Sequence, residues 1–118
     1  MPAAIRPAGP ADLAALFALR REFCAGEAHP MDPAATNAAL VRLLEHPEWG
    51  GALLAEAEGR AVGFAVWTLG YSLEFGGRDA LLDELYVVAE ARGRGLGAAL
   101  VDAAGTAAAR AGAGHLHL

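Results

Sequence analysis

The chain has 118 residues, of which 55% are hydrophobic and 19% charged, and its formal net charge is −5. This length suits one small domain with its own core, and the hydrophobic fraction excludes an intrinsically disordered chain. The negative charge argues against a general nucleic-acid binder, which needs a basic surface. All nine basic residues are arginine, so a Walker-type phosphate loop, which needs a lysine, is also excluded.

Cysteine content and hydropathy indicate the compartment. Cys24 is the single cysteine, so no disulfide can form within the chain, and we expect a cytoplasmic protein in which Cys24 is a small apolar helix residue. The N-terminus lacks the charged-then-apolar pattern of a signal peptide, and polar residues interrupt the alanine-rich stretch 98–111. We therefore predict no membrane span.

Hydrophobic spacing and turn residues predict the element order β-α-α-β-β-β-α-β. The predicted elements are strand 3–6, helix 11–24, a helix from 32–33 to about 45, strands 52–58, 60–71 and 80–88, a helix from 93–97 to 111, and strand 114–118. The last two strands flank a helix and should pair in parallel, whereas the two before 80–88 should form a hairpin. The expected fold class is α/β (α+β), one domain with a mixed central sheet flanked by helices.

Two features of the first helices carry specific expectations. Asp32 should cap the second helix, with Pro33 at its first position, and His46-Pro47 should end it. Arg20 lies within the apolar stripe of the first helix. We expect its stem to be buried and its head to be in water, with a substrate contact as the alternative.

A glycine-rich turn, Arg92-Gly93-Arg94-Gly95-Leu96-Gly97, joins a buried strand to the last helix. The first amides of a helix lack partners within it, and the macrodipole adds partial positive charge there. Because glycines let a ligand approach the backbone, the turn predicts a phosphate site. The alternative is a turn that only lets the helix pack closely on the strand. A dinucleotide-binding fold needs the spacing Gly-x-Gly-x-x-Gly and an acid about 20 residues later. Here the spacing is Gly-x-Gly-x-Gly and residues 112–118 contain no acid, so that fold is disfavoured.

This turn matches the Arg/Gln-x-x-Gly-x-Gly/Ala motif, and Leu85-Tyr86-Val87 matches the strand that precedes it, so the chain resembles the GNAT superfamily of acetyl-CoA-dependent N-acetyltransferases. Residues 71–97, with Asp83-Glu84, look most like the polyamine and diamine acetyltransferase branch. The resemblance covers nearly the whole chain in element order, but strong motif identity covers only about residues 81–101.

The resemblance implies acetyl-CoA as cosubstrate. Backbone groups of Leu85, Tyr86 and Val87 would hold the pantetheine arm, and the Val87 amide would stabilise the oxyanion that develops on the thioester. Arg92 would lie nearer the anion than Arg94. The pyrophosphate would be held by the successive amides of Gly93, Arg94, Gly95, Leu96, Gly97 and Ala98.

Asp83 and Glu84 are the candidate catalytic residues, because a carboxylate can take the proton of an ammonium before the amine attacks. Strand alternation sends them to opposite faces unless a bulge intervenes. By position, Asp83 matches the acid that faces acceptors in polyamine-type relatives, so we rank it first. The alternative is a solvated acid pair at a strand entrance.

Four residues are weaker candidates for contact with the acceptor. Glu27 and His29 lie in the loop between the first two helices, and Tyr71 and Glu74 lie where the third strand leaves the sheet. The alternative for the first two is an ordinary surface loop. His115 and His117 share a strand face but lack an evident third ligand, so we predict no metal there.

The chain departs from the family at its C-terminal end. Relatives usually continue with a helix, often carrying a tyrosine that protonates the leaving thiolate, and two strands, whereas this sequence ends at Leu118. Tyr71 and Tyr86 do not match that position. A truncated product, completion by another chain and a minimal fold are the three explanations, and the exposed apolar edge predicts a homodimer or larger oligomer.

We therefore predict an N-acetyltransferase acting on a primary amine of a small molecule or peptide, with no nucleic-acid or membrane partner. The alternatives are a shortened domain that binds CoA or a partner without turnover, and a structural domain with no ligand.

Overall fold

The computed structural model describes residues 3–26 and 32–118. Its strands and helices follow the predicted order. They are β1 (Ala4–Pro7), α1 (Leu13–Ala25), α2 (Pro33–Glu45), β2 (Gly50–Ala57), β3 (Arg60–Ser72), β4 (Gly77–Val87), α3 (Leu96–Arg110) and β5 (Leu116–His117). No helix within the described residues is long and apolar enough to cross a bilayer.

The five strands form one mixed sheet in the order β1-β2-β3-β4-β5. The first four pair antiparallel in succession, and β5 pairs parallel to β4, which confirms the predicted pairing across α3. This parallel pairing involves only Ala80 with Leu116 and Leu81 with His117. The outer edge of β4 is therefore covered by β5 only in the first half of β4.

Local sequence signals account for the element boundaries. Glu58 and Gly59 have φ values of 53° and 76°, which suits the tight turn of the predicted β2–β3 hairpin. The Asp32 carboxylate accepts a hydrogen bond from the Ala34 amide at 3.1 Å, which confirms the predicted cap of α2. Three strand boundaries differ from the prediction by two or more residues, since β2 begins at Gly50, β4 begins at Gly77 and β5 begins at Leu116. The largest difference is in β4, where residues 77–79 were predicted to lie outside the strand. Their pairing with β3 lengthens the ladder.

Helices cover both faces of the sheet. Gly63 and Phe64 are neighbours on β3 and therefore face opposite sides. A Cβ at Gly63 would lie 3.3 Å from a methyl group of Leu100 on α3, whereas the Phe64 ring lies 5.9 Å from the Phe23 ring of α1. Ala104 and Ala108 of α3 are also buried, and such small side chains let a helix lie close to a sheet. Cys24 is buried with the core side chains, in agreement with its predicted apolar role.

The prediction for Arg20 was wrong, because its head is buried and its side chain is only 3% exposed. Its Nε and Nη2 atoms donate to the two carboxylate oxygens of Glu84, both at 2.7 Å. Its Nη1 atom donates to Thr36 Oγ1 at 2.9 Å and to Asn37 Oδ1 at 2.8 Å. Four of the five guanidinium N–H groups thus have partners, which allows the charge to leave water. The side chain connects α1, α2 and β4.

Replacing Arg20 with methionine should lower the free energy of unfolding by about 3–5 kcal/mol, because the buried Glu84 carboxylate would lose its counter-ion. Urea denaturation measures the change. The control is Arg60→Met, since the Arg60–Glu90 pair is largely solvent-exposed and its loss should cost no more than about 1 kcal/mol. Equal costs for the two variants would contradict the structural role of Arg20.

Candidate active site

A β-bulge in β4 determines where its two acids point. Glu84 lies opposite Val66 and Leu82 lies opposite Trp67, so Asp83 is an extra residue without a partner on β3. Such an insertion interrupts the alternation of side chains along the strand. As a result, Asp83 and Glu84 line the same cleft. A bulge was the condition named above under which the two acids would not lie on opposite faces of the strand.

This acid cleft has a volume of ≈ 720 Å³ and lies between α1, α2, the turn 47–49 and strands β3 and β4. Its walls are largely apolar, and its charged residues lie on α1, α2 and β4. The residues that line it are Arg20, Phe23, Thr36, Ala39, Leu40, Arg42, Leu43, Trp49, Val66, Thr68, Leu69, Asp83 and Glu84.

The two acids of the cleft differ in their surroundings. Both oxygens of Glu84 accept from Arg20, so the ion pair neutralises this carboxylate. Asp83 has no hydrogen bond or ion pair to any residue that the structure describes. Although Asp83 stays open to the cleft, partial withdrawal from water raises its pKa, as does repulsion from Glu84, against a smaller opposing effect of Arg20. Of the two, Asp83 is therefore the group better suited to accept a proton.

A second cleft, of ≈ 320 Å³, lies between the end of β4 and the start of α3. We call it the glycine cleft. Among the ten predicted cofactor-binding residues, eight line it: Leu85, Tyr86, Val87, Arg92, Gly93, Gly95, Leu96 and Gly97. Ala91 also lines it and was not predicted. Arg94 and Ala98 are not in its lining. Arg94 instead lines a separate depression beside Glu58 and Arg60, since the turn directs Arg92 and Arg94 to different sides.

The backbone of the glycine turn is uncovered toward solvent. A Cβ placed on Gly93, Gly95 or Gly97 would meet no atom within 4 Å. Gly95 precedes α3 with a left-handed φ of 77°, a conformation that glycine adopts without strain. The Ala99 amide begins the helical series by donating to the Gly95 oxygen at 3.0 Å. The amides before Ala99 are therefore at the exposed, partially positive end of the helix.

The outer edge of β4 leads into the glycine cleft. The Val88 amide donates to the Val62 oxygen at 2.9 Å, and antiparallel alternation then turns the polar backbone groups of Val87 and Leu85 away from β3. In agreement, the Val87 oxygen accepts from Arg92 Nε at 2.8 Å. Because β5 covers only the start of β4, this edge is open for an added strand-like ligand.

Arg92 folds back over the strand rather than across the glycine turn. Its guanidinium carbon lies 5.6 Å from the centroid of the Tyr86 ring. The Tyr86 hydroxyl donates to Glu22 at 3.2 Å, and burial, followed by the charge of Glu22, raises the tyrosine pKa. Arg92 still lines the glycine cleft, so its charge stays beside the exposed amides.

Two of the four predicted acceptor contacts, Tyr71 and Glu74, lie away from both clefts. Tyr71 is 77% exposed, and neither Tyr71 nor Glu74 lines the acid cleft or the glycine cleft; this geometry does not support them as acceptor contacts. Glu27 and His29 lie outside the described residues. The rings of His115 and His117 pack against Phe75 at centroid distances of 4.6 and 4.9 Å. Residues 3–26 and 32–118 contain no group of three side chains able to hold a metal.

Several residues of the acid cleft were missed at the level of sequence, including Arg42, Leu43 and Trp49. Trp49 ends a short turn that begins at Pro47 and precedes β2, where no periodic pattern predicts the direction of a side chain. Arg42 and Leu43 fit the pattern of an ordinary helix, so nothing in the sequence marked them as site residues. Only the folded arrangement of α2 against β3 and β4 places them at one site.

The acetyltransferase (GNAT) family model matches residues 13–118. Among solved structures, an integron cassette protein from the mobile metagenome of Cole Harbour Salt Marsh is 32% identical, with a TM-score of 0.89 over 96% of this chain and 74% of that one. The ribosomal-protein-alanine N-acetyltransferase from Brucella melitensis biovar Abortus 2308 is 22% identical, with a TM-score of 0.80 over 100% and 80%. No curated protein matches the chain.

AAC(6')-Iy in complex with the bisubstrate analog CoA-S-monomethyl-acetylneamine is 21% identical, with a TM-score of 0.78 over 98% of this chain and 78% of that one. At this identity, it and the Brucella enzyme show the shared fold alone. The family match, in contrast, spans the acid cleft and the glycine cleft. The chain therefore belongs to the GNAT acetyltransferase family and is an N-acetyltransferase that uses acetyl-CoA as its acyl donor.

Proposed function

We propose that this chain transfers the acetyl group of acetyl-CoA to a primary amine of a small molecule or peptide. The observation that carries the proposal is that one strand, β4, borders both clefts. Asp83 lies in the acid cleft, and Leu85 and Val87 lie in the glycine cleft only two and four residues further along. A donor in one cleft and an acceptor in the other would meet at this strand.

The glycine cleft fits the donor. Exposed amides at the start of α3 and the positive end of the helix dipole favour a diphosphate without a lysine. Arg92, which also lines the cleft, adds a full positive charge. The open edge of β4 offers the backbone groups of Leu85 and the amide of Val87 to an extended amide-containing arm, as in strand addition.

Asp83 supplies the base. An ordinary amine has a pKa near 10, so only roughly one molecule in 10³ is the free base at neutral pH. The Asp83 carboxylate removes a proton from the ammonium, and the freed nitrogen attacks the thioester carbonyl. The outward-facing amide of Val87 would stabilise the negative charge that develops on the oxygen. As the C–S bond breaks, the second proton lost from nitrogen passes to the departing thiolate, so that CoA leaves as the free thiol.

Gly95→Ala should weaken CoA binding at least tenfold, because the new methyl group would project into the space that the diphosphate needs. Gly59→Ala is the matched control, since Gly59 has nearly the same φ and the same open space but lies in the β2–β3 turn. Both variants should lose about 1–2 kcal/mol of stability. Calorimetry with CoA separates the two effects.

Equal CoA affinity in Gly95→Ala and Gly59→Ala would contradict the placement of the diphosphate at the glycine turn. CoA binding by wild type without turnover of any amine would favour a binding module over an enzyme.

Asp83→Asn should lower kcat/KM by about 10²- to 10⁴-fold, the range typical of a positioned acid or base. CoA affinity should stay unchanged, because Asp83 does not line the glycine cleft. Asp102→Asn is the control, an exposed acid on α3. Thiol release from acetyl-CoA measures the rate, and a loss that is no larger for Asp83→Asn than for Asp102→Asn would remove Asp83 as the base.

The raised pKa of Asp83 also fixes the sign of two pH effects. The kcat/KM of wild type should rise with pH through a pKa above the ordinary value of 3.8, and this limb should be missing in Asp83→Asn. Since the folded state holds the proton more tightly than the unfolded state, stability falls as pH rises through the same window. Asp83→Asn should therefore melt at a higher temperature than wild type at pH 7; a lower melting temperature would contradict the assignment.

A further inference from the structure

The charges that line the acid cleft do not suit an acceptor with several ammonium groups. Four charged side chains belong to the described lining, two acids (Asp83 and Glu84) and two arginines (Arg20 and Arg42), so their formal charges cancel. Glu84 is already paired with Arg20. One ammonium can pair with the Asp83 carboxylate, but the described lining offers a second ammonium no other unpaired acid, and the Arg42 charge in that lining would repel it.

Trp49 provides a fixed aromatic surface in this cleft. Its side chain is 48% exposed although it is large and apolar. The His46 ring stacks on it at 3.9 Å between centroids and 10° between planes, and His46 Nδ1 lies 2.7 Å from the Arg42 oxygen, within hydrogen-bond distance. These contacts hold the indole in one orientation before any ligand arrives, so binding against it costs little side-chain entropy.

The rest of the cleft has room for a bulky apolar group. Leu40 and Leu43 from α2 and Leu69 from β3 form its walls together with Trp49. A volume of ≈ 720 Å³ lies within the range of sites that enclose a drug-sized molecule. A thin polymethylene chain would leave much of this apolar surface exposed to water, whereas an aromatic body would cover it.

We propose that the acceptor is a monoamine with an aromatic or similarly bulky apolar body, and that Trp49 determines this specificity. The amine lies at Asp83, and the ring packs against the indole of Trp49. The proposal rests on the proposed function and gives its acceptor a chemical class, which differs from the polyamines and diamines that the sequence resemblance suggested.

The test uses two acceptors with the full chain, 2-phenylethylamine as the aromatic monoamine and spermidine as the polyamine. Wild type should show the higher kcat/KM with 2-phenylethylamine. Trp49→Ala should lower that value about 3- to 10-fold, the range expected for loss of one aromatic contact. The loss should appear as a higher KM for 2-phenylethylamine with kcat unchanged, and kcat/KM with spermidine should stay the same. Trp49→Phe should retain most of the wild-type value.

Leu73→Ala is the control, since Leu73 is exposed and lies outside the cleft; it should match wild type with both amines. Melting temperatures show whether each variant is folded. A preference of wild type for spermidine, or an equal effect of Trp49→Ala on both amines, would overturn the inference while leaving the transferase function intact. A folded wild-type chain that binds no CoA by calorimetry would overturn both.

Discussion

The buried ion pair between Arg20 and Glu84 is the interaction on which the rest of the site depends. It connects α1 and α2 to β4, because the same guanidinium also binds Thr36 and Asn37. Removing one partner would leave the other as an unpaired buried charge, so the arrangement is held strongly in place. The pair also neutralises one of two adjacent acids and leaves the other, Asp83, which we propose as the base, open to the acid cleft.

The strand β4 brings the two clefts together through two irregularities. The bulge at Asp83 turns both acids into the acid cleft. Further along, β5 no longer pairs with β4, so the backbone of Leu85 and the amide of Val87 are available at an open edge. A regular strand with full neighbours would place the acids on opposite faces and hide that edge. These two irregularities therefore put both acids in one cleft and leave the β4 edge beside the other cleft unpaired.

The glycine cleft is locally positive although the chain as a whole is acidic. The exposed start of α3 contributes partial charge from its amides, and Arg92 adds a full charge beside them. Its Nε donates to the Val87 oxygen, which fixes the guanidinium at the end of β4. The same contact satisfies a carbonyl at the open edge, so Arg92 both orders the edge and contributes to the field of the glycine cleft.

The sequence by itself determined the features that depend on residues close together in the chain: the element order, the Asp32 cap, the Glu58-Gly59 turn and the exposed glycine turn. Each follows from backbone conformations and hydrogen bonds within a few residues. The tertiary structure decided the burial of Arg20, the bulge at Asp83 and the position of Trp49. Arg20 and Glu84 are 64 residues apart, and only the packing of α1 and α2 against β3 and β4 could reveal that they pair and that a cleft forms around them.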